Sequence, residues 1–226
     1  MRNMSLRKKL LLTITPITCA AIISLAIISY HLSSDAVMSQ QEKNMEIIVQ
    51  KTVSELDRWI DEREREVILL SKDNLLKDAC QGRRSDEAQK RLITYQQLSP
   101  VYENLVLIDT NGVIFMLALK AEGVIGMKLS DHPEYSINIA KAQQGQVWVG
   151  DVGKSPVTGR PVLLVTAPIM DNGTFVGIVG TPIELTYFSE QVINKHKIGE
   201  TGYLFMVDSN GTVLAHPEKG NILKLH

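Results

Sequence analysis

The chain has 226 residues, of which 44% are hydrophobic and 22% are charged. This balance is typical of a folded globular protein and excludes a disordered chain. The formal net charge of −1 excludes the overall basic field that dominates nucleic-acid binding, so we expect no nucleic-acid partner.

The first predicted element is an apolar run over residues 10–30, which contains no charged side chain. A helix of this length spans roughly 31 Å, about the thickness of the hydrocarbon core of a bilayer. Residues 1–9 contain four basic side chains and no acidic one. The positive-inside rule therefore predicts a cytoplasmic tail over 1–9, a transmembrane helix over 10–31 and a folded body outside. A cleaved signal peptide is the alternative.

The second predicted element is a long charged helix, because residues 33–78 contain no Gly or Pro. We assign residues 32–80 to it, as a signalling and dimerisation helix of roughly 70 Å. Side chains three or four residues apart form a mostly apolar seam of the coiled-coil type. The seam can pack on its own globular domain or on a second copy, and we predict a homodimer through this helix. The seam consists of Met38, Glu42, Met45, Val49, Val53, Leu56, Ile60, Arg63, Val67 and Leu70.

The rest of the chain alternates short helices and strands. Tight turns between successive strands predict a mainly antiparallel sheet of five or six strands with flanking helices on one face, an α+β fold. We expect Asp131 to cap the middle helix and Gly145 to end it. The polar segment 151–160 is predicted to be a loop. The predicted helices cover residues 85–98, 131–144 and 184–197, and the predicted strands cover residues 105–108, 113–117, 146–150, 161–169 and 174–181.

One turn sequence occurs twice, as Asp109-Thr-Asn-Gly112 and as Asp208-Ser-Asn-Gly211, each between apolar runs. Its recurrence about 100 residues apart predicts two tandem copies of one module, although two unrelated hairpins could share a common turn. We therefore assign residues 81–200 to a first module and 201–226 to the start of a second. Because one hairpin cannot bury its apolar face alone, we expect the chain to be a piece of a longer protein.

Several motifs, together with the membrane helix and the long helix, carry a family resemblance. They are Leu129-Ser-Asp-His-Pro-Glu-Tyr135, Gly145-Gln-Val-Trp148-Val-Gly, Thr158-Gly-Arg-Pro161-Val, Ala167-Pro-Ile-Met-Asp-Asn-Gly-Thr-Phe-Val-Gly-Ile-Val-Gly180 and Gly202-Tyr-Leu-Phe-Met-Val-Asp-Ser-Asn-Gly-Thr-Val-Leu-Ala-His-Pro217. In combination they resemble the double Cache sensor domain, most often owned by bacterial methyl-accepting chemotaxis proteins. The resemblance implies a PAS-like fold in the periplasm or outside the cell, anchored in the inner membrane, with a ligand pocket in the membrane-distal module. Membrane histidine kinases and diguanylate cyclases own such domains too.

The candidate ligand contacts lie around the helix that starts near Asp131 and the loop that follows Gly150. Tyr135 and Trp148 offer an apolar ring with one hydrogen-bonding group, although both could belong to the core. Lys154 and Arg160 could meet a carboxylate, unless Lys154 is simply solvated and Arg160 pairs with Asp151. Asp151 could instead accept a hydrogen bond from a ligand amine or hydroxyl. With two strand threonines as the floor, the candidate set is His132, Tyr135, Trp148, Asp151, Lys154, Arg160, Thr166 and Thr181.

The chain departs from the family pattern at two positions. Family members that bind amino acids hold the amino group with an Asp where this chain has Pro182, and His132 replaces their Arg. The ligand is therefore expected to be a small organic molecule, either a carboxylate or an amino-acid-like solute.

Chemistry beyond binding has little support in the sequence. No nucleophile motif, phosphate-binding loop or metal-ligand spacing is present, and the two cysteines suggest no disulfide framework. We therefore expect no enzyme activity, no cofactor and no metal. A membrane-tethered enzyme and a ligand-independent dimerisation module are the alternatives.

Overall fold

The structure is a computed structural model that describes residues 6–195, 197–199, 201–208 and 210–224. Two compact units divide the chain, one up to Lys51 and the other from Thr52 onward. Most of the acid-free basic tail predicted over residues 1–9 lies outside the described residues.

The first unit is formed by the beginning of helix α1, which covers Leu6–Ser71. Its described side chains up to Lys51 are almost all exposed. Hydroxyls of Thr18 and Ser24 donate to carbonyls of the preceding turn, which is how a helix accommodates these residues in an apolar run. In the part of the chain that the structure describes, α1 is the one helix long and apolar enough to cross a membrane.

The long helix is shorter than predicted, because it ends at Ser71 and a separate helix α2 covers Asn74–Cys80. Asp73 causes the restart: its carboxylate accepts a hydrogen bond from the Leu75 amide at 2.8 Å. Asp is a favoured N-cap residue, so the missing Gly and Pro permitted a continuous helix without requiring one. The prediction of one helix through residue 80 is therefore wrong.

The second unit contains a five-stranded sheet, which confirms the α+β prediction. The strands are β1 (Val106–Ile108), β2 (Ile114–Leu117), β3 (Trp148–Lys154), β4 (Pro161–Asp171) and β5 (Thr174–Glu184). Their order across the sheet is β2-β1-β5-β4-β3, and every neighbouring pair is antiparallel. The predicted loop over residues 151–160 is wrong in its first part, since β3 continues to Lys154.

Helices cover both faces of the sheet, whereas we expected them on one. One face, called the helix face below, is packed by α1, α2 and α3 (Ser85–Leu98). The other, called the α4 face, is packed by α4 (Pro133–Gln143). Nine successive residues of β4 are buried, so this strand has no solvated side. Continuous burial of this kind is the pattern of a strand covered on both faces.

The start of α4 also differs from the prediction. Asp131 lies in a short 3-10 helix, Leu129–Asp131, and the N-cap residue is His132, which makes no side-chain capping bond. Pro133 occupies the first turn, where a missing N–H costs nothing. The predicted end is correct, because Gly145 has the positive φ (77°) that follows a helix end.

The segment after β5 is built from short pieces. Helix α5 covers Leu185–Gln191, shorter than the predicted 184–197, and a 3-10 turn follows it. The strands are β6 (Lys197–Ile198), β7 (Gly202–Tyr203), β8 (Met206–Val207) and β9 (Val213–Ala215). They form two separate pairs, β6 with β7 and β8 with β9.

The two Asp-x-Asn-Gly turns make the same hydrogen bonds among their described residues. In the first, the Asp109 carboxylate accepts hydrogen bonds from the amides two and four residues later, at 2.9 and 2.8 Å. In the second, Asp208 does the same at 2.8 and 2.8 Å. Gly112 and Gly211 have φ values of 83° and 82°. The repeated sequence therefore makes a repeated turn, and its assignment to two modules stays a prediction.

Candidate functional site

A cavity of about 40 Å³ lies between α4 and the sheet face beneath it. Val106, Leu164 and Pro182 line it from the sheet, Tyr135 from α4, and Val157 from the loop after β3. The space admits a few water molecules and is far below the roughly 300–1,000 Å³ of most ligand pockets. A ligand therefore needs part of this wall to move, and Val157 is an exposed residue of the wall.

Glu103 fastens that loop to the sheet. Its carboxylate accepts hydrogen bonds from the Ser155 hydroxyl at 2.8 Å and from the Thr158 hydroxyl. The Ser155 oxygen in turn accepts from the amides of Val157 and Thr158, at 3.0 and 3.1 Å. On the other side, the Glu103 amide donates to the Pro182 carbonyl at 3.0 Å. One acidic residue thus connects the cavity wall to the loop that covers it.

Tyr135 places a neutral phenol at the cavity. It is buried, and its hydroxyl donates to the Lys154 carbonyl at 3.2 Å. Burial raises the pKa of Tyr135 to about 12, with smaller contributions from Glu134 and Glu103. The phenol is therefore protonated at neutral pH and can act as a hydrogen-bond donor. The His132 ring lies 6.4 Å from the Tyr135 ring, half-buried at the start of α4.

Three of the predicted site residues lie on β3 outside the cavity lining. The Trp148 ring lies 4.7 Å from the Lys141 ammonium, in a cation–π contact at the end of α4. The side chains of Asp151 and Lys154 are exposed, and Lys154 meets Tyr135 only through its backbone.

The remaining three predicted residues are scattered. Arg160 pairs with Glu184 at 3.0 and 3.1 Å, not with Asp151 as the alternative supposed. Thr166 accepts a hydrogen bond from the Asn138 amide at 3.1 Å, on the α4 face. Successive residues of a strand point to opposite faces, and Pro182 lines the cavity on the α4 face. The side chain of Thr181 therefore points to the helix face. This corrects the expectation that Thr181 forms the cavity floor.

Sequence reasoning missed Glu103 and Val157. Residue 103 falls in a connection between the predicted helix 85–98 and the first strand, and no motif marks it. A charged residue two positions before the predicted strand 105–108 was the available signal, since carboxylates are rarely placed against a core without a partner.

A second, more open cavity of about 330 Å³ lies on the helix face, between α1 and the end of α3. There the Tyr102 hydroxyl donates to the Glu66 carboxylate, which also binds the Arg63 guanidinium at 2.7 Å. Tyr102 and Glu103 are sequence neighbours that face opposite sides of the sheet. The segment 101–104 therefore touches both α1 and the α4-side cavity. Among the described residues, no group of three or more His, Cys, Asp and Glu side chains could hold a metal ion.

A family model described as dCache_1, a Cache domain, matches residues 31–225. "Methyl-accepting chemotaxis protein PscA" of Pseudomonas syringae pv. tomato is 23% identical over 228 residues, covering 99% of this chain and 34% of that protein. The chain thus spans about a third of the length of the curated relatives it matches.

Two solved structures share the fold. The sensor domain of the V. cholerae histidine kinase DctB superposes with a TM-score of 0.65 at 15% identity, covering 81% of this chain and 69% of that one. The ligand-binding domain of the Pseudomonas aeruginosa amino acid chemoreceptor PctB, in complex with L-Gln, superposes with a TM-score of 0.60 at 21% identity. That match covers 79% of this chain and 69% of the other.

Proposed function

The chain belongs to the Cache domain family, and from this we propose that it is the extracytoplasmic small-molecule sensing region of a transmembrane chemoreceptor. The family match over residues 31–225 and the chemotaxis relative support the sensing role. The single observation that carries the proposal is the cavity under α4, where an apolar wall meets one carboxylate and one phenol. A few convergent polar groups in an apolar concavity are the usual form of a small-molecule site.

The proposed domain organisation follows the sequence prediction, with the long helix broken at Asp73. In this arrangement the first residues are cytoplasmic and the sensor module lies in the periplasm or outside the cell. The segments are the basic tail (1–9), the inner-membrane helix (10–31), the signalling helix (32–80), the membrane-distal sensor module (81–200) and the start of a membrane-proximal module (201–226).

The homodimer is proposed to form through the membrane-proximal half of the apolar seam. Met45, Val49 and Val53 are exposed, whereas Val67 and Leu70 are buried against the sensor's own core. Exposed apolar residues at coiled-coil spacing favour a second copy as their partner. In this proposal the membrane-proximal stretch of the seam packs on a second copy, and the stretch near Val67 and Leu70 packs on the chain's own domain.

The ligand is proposed to be a small organic molecule, a carboxylate or an amino-acid-like solute, held at the cavity by Tyr135 and approached by His132. The PctB domain bound to L-Gln supports this size and class. Pro182 lines the cavity, so this position offers no carboxylate to a ligand amino group.

Signal relay is proposed to run through the segment 101–104. A ligand that moves Glu103 shifts the adjacent Tyr102, and Tyr102 is hydrogen-bonded to Glu66 on α1. Binding would then favour one of two arrangements of the signalling helix.

The output domain has two further candidates. A histidine kinase is favoured by the DctB sensor structure, and a diguanylate cyclase is compatible with the same fold. We do not propose an enzyme, because the curated relatives are chemotaxis proteins. A membrane-tethered enzyme would instead show turnover, and a pure dimerisation module would show no ligand dependence.

The experiment is thermal unfolding of the whole chain in detergent against a panel of amino acids, organic acids and amines. We expect at least one compound to raise the unfolding temperature, and Val157→Phe, which fills the cavity, to abolish the shift. Val207→Phe is the matched control, because Val207 is similarly exposed (43% against 40%) on the β8–β9 hairpin. A compound whose effect survives Val157→Phe, or a panel without effect, contradicts the proposal.

A further inference from the structure

The described lining of the cavity under α4 carries one negative charge and no positive charge. Among the described residues that line it, Glu103 is the only one with a charged side chain. The other polar lining groups are the Tyr135 phenol and the Asn104 amide. Asn104 is largely used, since its Oδ1 accepts from two backbone amides and one of its two N–H groups donates to the Leu119 carbonyl at 2.9 Å. The charge of the described lining is therefore that of one carboxylate.

The Glu103 carboxylate has neutral partners and spare capacity. In the described part of the chain its side chain binds two hydroxyls, and no Lys or Arg lies within ion-pair distance. An ionised carboxylate offers about four acceptor positions, of which Ser155 and Thr158 use two. A carboxylate beside an apolar wall is stabilised strongly by a cation that reaches it.

The nearby basic side chains cannot serve a ligand carboxylate inside the cavity. Lys154 is exposed, and Arg160 is held by Glu184 on the outer side of the loop. Lys141 lies over the Trp148 ring at the far end of α4. A ligand with only a carboxylate would thus meet Glu103 with like charge and no compensating cation.

We propose that Glu103 selects the ligand, and that the ligand carries an ammonium group on a short aliphatic body. This inference rests on the proposed sensing function and names the chemistry of its site. The ammonium group binds the free acceptor positions of Glu103, and the aliphatic body packs against Val106 and Leu164. Because the same carboxylate fastens Ser155 and Thr158, ligand binding changes how the covering loop is held.

The experiment compares matched compounds that differ only in charged groups. The first set is L-leucine, 3-methylbutylamine and 4-methylpentanoate, and the second is L-alanine, ethylamine and propanoate. Each is titrated into the whole chain in detergent by calorimetry at constant ionic strength. Glu103→Gln keeps the hydrogen-bond acceptor and removes the charge, and Glu184→Gln is the control, since that carboxylate binds Arg160 away from the lining.

We expect the amine or the amino acid of one set to bind at least tenfold more tightly than its acid. Glu103→Gln should weaken binding of that compound at least tenfold, and Glu103→Asp should retain the preference for ammonium. Glu184→Gln should leave the affinity unchanged. If Glu103→Gln does not fold, the ranking of compounds on the unaltered chain decides. Acids that bind as tightly as amines, or an amine that ignores Glu103→Gln, overturn the inference. If the six compounds fail while others of the panel bind, this inference falls and the sensing function stands; if nothing binds, both fall.

Discussion

The two faces of the sheet differ in where free space lies relative to the strands. On the helix face, Leu107, Val165 and Val179 interlock with α1, α2 and α3 in one continuous core. On the α4 face a cavity remains, and a carboxylate and a phenol border it. Leu163 and Leu164 are neighbours in β4, both buried, yet one belongs to each face.

This difference suggests a division of labour within one sheet. On the helix face the cavity is lined by α1, the end of α3 and Tyr102, and the described strand side chains lie outside its lining. Those strand side chains transmit displacement to the long helix, because close-packed side chains cannot move independently. On the α4 face the strand side chains themselves border free space and can adjust around a small solute. Single substitutions on matched positions of the two faces can test that division.

The largest effect is expected from the adjacent leucines. Leu163→Ala should destabilise the second unit by about 3 kcal/mol, because it leaves a void in a tightly packed core. Leu164→Ala should cost about 2 kcal/mol, because the lost side chain already borders free space. Urea unfolding followed by tryptophan fluorescence measures both, since Trp59 and Trp148 lie in this unit. Equal costs would contradict the contrast between the faces.

The next effect concerns two glycines of β5. A Cβ at Gly177 would lie 2.6 Å from the Cys80 sulfur and 2.9 Å from the Ile108 carbonyl oxygen, which cannot move away. At Gly180 it would meet methyl groups of Val106 and Leu164, which can retreat into the cavity. We expect Gly177→Ala to cost about 3 kcal/mol and Gly180→Ala about 1 kcal/mol. The same unfolding assay applies, and a costlier Gly180→Ala would count against the free space.

A smaller effect should appear at alkaline pH on the α4 face. The pKa of Tyr135 is raised by burial from 10.0 to about 12. The folded state thus favours the neutral phenol, and this contribution is complete below pH 10 and lost as pH rises toward 12. It amounts to about 2–3 kcal/mol. Tyr135→Phe should unfold with a flatter pH dependence than the unaltered chain between pH 10 and 12, and identical profiles would refute the assignment.

The smallest effect is a reaction rate on the helix face. Burial, and to a lesser extent Asp109, raises the pKa of the Cys80 thiol to about 12. Few thiolates form at pH 8, so iodoacetamide should alkylate Cys80 at least tenfold more slowly in the folded chain than in urea. Cys19→Ser removes the other thiol. An alkylation rate equal to that of the unfolded chain would mean that the Cys80 thiol on the helix face is accessible to the reagent.

The sequence predicted the parts of the fold that depend on local chemistry. The Asp-x-Asn-Gly turns, the glycine after α4 and the apolar run follow from backbone and burial preferences of neighbouring residues. The start of α2 did not, because an Asp in a charged helix looks like a solvated residue until Tyr95 and Arg91 surround it.

The extent of β3 and the site depend on tertiary packing. The polar character of residues 151–160 suggested a loop, but β3 continues to Lys154, and Asn138 and Tyr135 of α4 pack directly against Gly150 and Gly153. Tyr135 was predicted at the site and lies at the cavity, whereas Glu103 was missed. Its role follows from the loop that folds back over it, some fifty residues later.

The most direct test uses the methyl resonances of Leu163 and Leu164 in the whole chain, assigned by substitution and followed by NMR. During titration with the tightest-binding compound of the two matched sets, we predict that the Leu164 methyls shift and those of Leu163 keep their positions. Shifts at Leu163 with none at Leu164 would place the ligand on the helix face and contradict the account.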